Sequence, residues 1–215
     1  MKTALLAAFL IQAANGQTDP VFYQAVDVQT GDTLWEFSVA WATAPDGWPA
    51  VSWRSESGDG HRQQYRLDER HATLEWRIQF PERDTDYVGE RREASLLVRG
   101  RLNGQAVDAT LPIDDRPFFY SLPVGLAEFV RSGAPSMEFW AFRPDDVAVY
   151  AMDARVEGRD TVTVGGEPVE AVRVRWAPTG WRGWFYSRRF WFRADDGLFL
   201  RTDARDGYVT ELRPP

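Results

Sequence analysis

The chain contains no cysteine. That excludes disulfides, a thiolate nucleophile, Cys-ligated zinc, iron–sulfur clusters and the lipid-modified cysteine of a bacterial lipoprotein. Lysine is almost as scarce. The single lysine, Lys2, lies in a segment read below as a leader, so the rest of the chain offers no Schiff-base or P-loop lysine. His61 and His71 are the only imidazoles available for acid–base or metal work. Positive charge is also short, with 25 Lys+Arg against 32 Asp+Glu and a formal net charge of −7. An acidic balance argues against nucleic acid and anionic lipid headgroups as partners. Aromatic residues are plentiful: 10 Trp, 7 Tyr and 13 Phe make up 14% of 215 residues. The composition is that of a soluble globular chain, sized for one large domain or two small ones.

Met1-Lys2-Thr3 carries a positive charge, and Ala4 to Ala14 is apolar apart from Gln12. Ala14-Asn15-Gly16 then gives a small-x-small exit before Gln17, completing the plan of a secretory signal peptide. The apolar run is too short to cross a bilayer. The expectation is a signal peptide over 1–16 and a single β-rich domain over 17–215. The product would be periplasmic or extracellular, neither membrane-spanning nor a lipoprotein.

From residue 21 the pattern is strand after strand. Over Thr33–Trp41, Trp35, Phe37, Val39 and Trp41 share one face and Leu34, Glu36, Ser38 and Ala40 the other. Period two over that length means a half-buried antiparallel strand. Leu74–Phe80 and Val172–Trp176 repeat it. Weaker versions fall at 23–28, 50–55, 63–67, 95–102, 105–111, 136–143, 147–156, 186–193, 198–202 and 208–212. Turn residues separate them, including Asn103-Gly104, Gly165-Gly166 and Asp206-Gly207. The reading is an all-β antiparallel sheet without parallel crossovers. One segment breaks the rhythm. Leu122, Leu126, Phe129 and Val130 fall on one helical face, with Ser121 placed to cap, Pro123 in the first turn and Gly133 at the end. One short helix over 122–131 is therefore expected, with no linker on either side to mark a domain boundary.

The C-terminal half reads Gly166-Glu167-Pro168-Val169-Glu170-Ala171-Val172-Arg173-Val174, then Arg189-Phe190-Trp191-Phe192, then Asp196-Gly197-Leu198-Phe199-Leu200-Arg201. This pattern resembles a family of secreted bacterial β-proteins catalogued as a domain of unknown function, similar in fold to the lipoprotein carriers LolA and LolB. The resemblance implies a single long antiparallel sheet curled into a half-barrel, with the short helix against its concave side. It implies no catalytic residues.

The residues themselves offer little chemistry. Asp68-Glu69-Arg70-His71 places a carboxylate near an imidazole, but in a polar turn and without a nucleophile elbow. His61 and His71 lack a third metal ligand. The doublets Asp114-Asp115, Asp145-Asp146 and Asp195-Asp196 lack calcium-loop spacing. No catalytic residue, metal or cofactor is expected. The most unusual stretch is Trp181 to Phe192, where Phe190 and Phe192 read as core and Trp181 and Trp184 as loop residues open to a ligand.

The expected function is binding of an apolar or amphipathic molecule, such as a lipid, in the half-barrel. The alternatives are a structural or interaction protein of the envelope without a small ligand and, least favoured, a secreted hydrolase. The candidate ligand-binding residues are Trp35, Phe37, Trp41, Phe118, Phe119, Leu126, Phe129, Trp181 and Trp184. The helix would pack against the strand face carrying Trp35 to Trp41, with Gly125 and Gly133 allowing it to move as a lid.

Overall fold

The structure, a computed structural model, describes residues 18–204 and 207–213, apart from the side chains of Arg182 and Trp184. The expected leader lies outside the described residues. Among the described residues, fifteen strands form one sheet. The first eight are β1 (Val21–Asp27), β2 (Thr33–Thr43), β3 (Pro49–Ser55), β4 (Arg62–Leu67), β5 (Thr73–Phe80), β6 (Thr85–Arg92), β7 (Ser95–Leu102) and β8 (Gln105–Pro112). The chain then crosses the interior through β9 (Phe118–Phe119) and α1 (Leu122–Ser132). It returns as β10 (Ser136–Arg143), β11 (Ala148–Val164), β12 (Glu167–Pro178), β13 (Arg188–Arg193), β14 (Phe199–Thr202) and β15 (Tyr208–Leu212).

Neighbouring strands are antiparallel throughout, apart from β9, which pairs parallel with β10 through Phe118–Trp140 and Phe119–Ala141. Strands β8 to β1 lie in sequence, β15 pairs with β1, and β14 to β9 follow. The first and last strands thus meet in the middle of the sheet, and β8 and β9 are its edges. The architecture is the expected long, curled, open sheet with one helix on its concave side. The expectation of no parallel crossover is corrected, because β9–α1–β10 is a parallel connection.

The curl brings β10 and β11 between two cores. Phe139 and Met152 face one core, with Tyr23, Phe190, Phe192 and Phe199. Phe142 faces the other, with Tyr65, Trp76, Tyr87 and Phe118, while Trp140 and Val149 pack on its margin. A strand covered on both faces loses the polar half of its alternation, and Ser136–Arg143 reads accordingly. The convex face carries cross-strand arginine–carboxylate pairs, such as Arg99–Asp108 at 3.1 Å and Arg173–Asp160 at 2.8 Å. The Arg99–Asp108 pair is exposed and contributes under about 1 kcal/mol, whereas Arg173–Asp160 is half-buried.

Three elements depart from the sequence reading. Strand β6 was not anticipated because Gly89 interrupts its inward row of Thr85, Tyr87 and Gly89. The Trp76 indole occupies the space above Gly89, where a Cβ would stand 1.9 Å from the ring. Strand β9 has two residues, too few for any period to register. Strand β11 runs on to Val164 through a bulge between Val156 and Gly158.

The helix begins at Ser121, whose side chain makes no capping bond, and ends in a left-handed Gly133. It leans on β9, β13 and β14 rather than on the β2 face. Leu126, Phe129 and Val130 bury into the core that holds Phe119, Phe139, Phe190 and Phe192. Gly125 is a contact rather than a hinge: a Cβ there would lie 2.3 Å from the Phe119 ring.

Candidate functional site

Because α1 leans toward β13 and β14, its other side does not close onto β1–β4. A cavity of about 800 Å³ remains between them, within the range of roughly 300–1,000 Å³ occupied by small-molecule sites. One wall is the inward row of β2 and β3, with Phe37, Val39 and Trp41 opposite Val51 and Trp53. Leu122, Val124 and Ala127 of α1 face it, and Phe190 and Phe199 complete the apolar lining. Polar groups sit at the two ends. One end holds His71, Arg131 and Asp196; the other holds Gln63, Thr202 and Thr210.

The first end is built by turns. Gly197 is left-handed at φ +72°, and a Cβ there would stand 2.6 Å from the Ala127 carbonyl, so the Asp195–Gly197 turn backs directly onto the helix. Asp196 accepts from Arg193, which holds its carboxyl below the usual range. His71 occupies a left-handed position at φ +59° in the β4–β5 turn. Its ring lies 4.9 Å from Trp41, and the Arg131 guanidinium donates to its Nε2 over 3.2 Å. Guanidinium only donates, so Nε2 is the acceptor in this contact. Arg131 also pairs with Glu128 at 2.5 Å.

Asp68 does not orient the imidazole. Its Oδ1 accepts the backbone N–H groups of Arg70 and Ala72, an arrangement that shapes the turn. His61 stands at the opposite end of β4, stacked on Phe80 at 4.4 Å and tilted against Trp53 at 4.5 Å. A strand of that length spans roughly 20 Å, so the two imidazoles share no site. Among the described residues, no cluster of three or more His, Asp or Glu side chains is placed to hold a metal ion.

Tyr23, Tyr65 and Tyr120 add phenols to the walls, and Tyr87 supports Tyr120. Tyr23 donates to the Phe199 carbonyl over 3.1 Å, and Tyr65 donates to Gln63. The hydroxyls of Tyr87 and Tyr120 meet at 2.6 Å. Burial raises all four above the ordinary range, Tyr87 to about 12, so each remains a neutral hydrogen-bonding group.

Burial lowers both imidazoles, and positive charge from Arg131 on His71 and from Arg83 on His61 acts in the same direction. The folded chain thus resists a proton that the unfolded chain accepts below about pH 6.5. Stability is therefore full above that value and falls as pH drops through it. The urea midpoint should decrease between pH 7.5 and 5.5, and His71→Gln should flatten the decrease. Equal slopes for both proteins would contradict the assignment.

The sequence candidates are distributed unevenly. Phe37 and Trp41 line the cavity. Trp35 continues their row beyond the lining, 37% exposed and edge-on to Tyr208 at 4.8 Å. Phe118, Phe119, Leu126 and Phe129 are buried in the two cores. Trp181 is 68% exposed beside Phe185 and is not part of the cavity lining. Trp184 ends a 3-10 turn, and its side chain is outside those described. Val51, Trp53 and Tyr65 were missed, although the alternation over Ala50–Ser55 puts Val51 and Trp53 on one face.

No protein-family model matches the chain, and no curated protein matches it. Among solved structures, one similar protein is a β-barrel-like protein of the domain of unknown function DUF1849 from Brucella abortus. The two share this fold. The TM-score is 0.58 over 90% of this chain and 94% of that one, at 11% identity.

Proposed function

We propose that the protein is an exported binding protein, periplasmic or extracellular, that holds an apolar or amphipathic molecule such as a lipid beneath α1. The cavity carries this reading: its volume is that of a ligand site, and its long walls are aromatic and aliphatic. The charged groups Arg131 and Asp196 sit with His71 at one end, and the wall phenols engage their hydroxyls with Phe199, Gln63 and Tyr87. This suits a molecule with an apolar body and a polar terminus. The leader-like residues 1–16 support export. The reading assigns no catalysis, since Asp68 is engaged by its own turn and His71 faces an arginine rather than a nucleophile.

A crystal soaked with a long-chain fatty acid brominated near its middle tests the assignment. The anomalous bromine peak is expected among Val39, Val51 and Leu122. Bromine found only on the outer surface, with the cavity lacking acid at saturation, would favour an envelope protein without a small ligand.

A further inference from the structure

The register of the sheet fixes which loops share a rim. Thr210 pairs with Ala25, Ala25 with Trp35, Phe190 with Thr202 and Trp176 with Arg188. The β1–β2 turn, the β14–β15 turn and the β12–β13 loop therefore emerge at one rim. This is the end of the cavity marked by Gln63, Thr202 and Thr210. The large apolar side chains exposed among the described residues are Phe22, Val28, Leu34, Trp35, Val156, Trp181, Phe185 and Tyr186. All but Phe22 and Val156 stand at this rim.

The exposed collar is continuous with the cavity wall. On one side, Phe190 meets Trp176 at 5.6 Å, and Trp176 meets Tyr186 at 5.8 Å. On the other, Phe37 of the wall is followed outward on the same strand face by Trp35. An apolar ligand leaving the cavity at this end would pass from aromatic lining to aromatic rim.

Asp27 and Asp32 lie in the β1–β2 turn, where Asp27 accepts the backbone N–H groups of Gln29 and Thr30. It is therefore the charges of the β12–β13 loop that identify the partner. Thr179–Ser187 contains no carboxylate, and its one charged residue is Arg182. The acids beside the loop are engaged, Asp203 by Arg188 at 2.6 Å and Glu157 by Arg189 at 2.8 Å. A loop of Trp, Phe and Tyr with an arginine and no acid complements a layer of phosphate oxygens over acyl chains. The net charge of −7 opposes a strongly anionic surface.

We infer that this aromatic rim docks the cavity mouth onto a zwitterionic phospholipid bilayer, Trp181 and Phe185 entering the headgroup region. The inference rests on the ligand reading above, because the lipid phase is where such a ligand is exchanged. Anchoring is reversible, since a few interfacial side chains bury far less apolar surface than a spanning helix.

Flotation with phosphatidylcholine vesicles tests it, comparing the protein with the Trp181→Ser/Phe185→Ser double variant, both with the same N-terminus. Wild type should float with the vesicles, and the variant should partition about tenfold or more weakly. Its unfolding midpoint and its binding of a soluble fatty-acid probe should be unchanged, because both side chains are exposed. Absence of wild-type flotation would overturn the inference while leaving the cavity reading intact, as would equal flotation of the variant. So would a lipid-free dimer that the double variant abolishes, which would make a second copy the partner. Collar-dependent flotation without probe binding would uphold the docking surface and reject the ligand reading.

Discussion

Phe119→Ala is expected to lower the unfolding free energy by about 3–5 kcal/mol, the cost of removing a fully buried phenylalanine from a core that cannot collapse around the gap. Phe119 is 1% exposed, its ring lies 5.2 Å from Phe139, and its backbone pairs with Ala141. It also fills the notch left by Gly125, which sets how closely the helix approaches the sheet. Gly125→Ala should therefore cost about 1–3 kcal/mol by overpacking, despite a gain of up to about 1 kcal/mol in helix propensity. In the double variant the methyl group enters space vacated by the ring. The two losses should then fall short of additivity by about 0.5–3 kcal/mol. Urea denaturation with unchanged m-values measures all three. Strict additivity would mean that the ring and the glycine are not in contact.

Val39→Trp should reduce affinity for a fatty-acid probe about a hundredfold. Val39 lies midway along the β2 wall, facing the cavity and flanked by Phe37 and Trp41. An indole there displaces room for roughly four methylenes, and at about 0.8 kcal/mol per buried CH₂ the loss is about 3 kcal/mol. The substitution suits a strand and fills empty space, so the urea midpoint should hold or rise. Unchanged affinity in a folded variant would place the probe elsewhere.

How much of this was legible in the sequence depends on which contacts are local. Alternation over Thr33–Trp41 correctly put Phe37, Val39 and Trp41 on one face, and the helical spacing of Leu122, Leu126, Phe129 and Val130 correctly marked α1. Period two states that a row points inward, but not whether it meets side chains or space. That outcome depends on the curl of the sheet and the lean of the helix, which follow from distant pairings such as β1 with β15 and from the Phe119–Gly125 contact. The same row of β2 therefore lines a cavity, while Phe118 and Phe119 are core. The rim collar was hidden for a related reason: Trp35 and Trp181 stand far apart in sequence, and only the register brings their loops to one end.

The most direct test of the central claim is an equilibrium titration of the protein with a fluorescent polyene fatty acid, monitored by probe emission. The structure predicts saturable binding of one probe per chain, competed by unlabelled fatty acid. A linear, unsaturable rise that unlabelled fatty acid leaves unchanged would contradict a ligand site beneath α1.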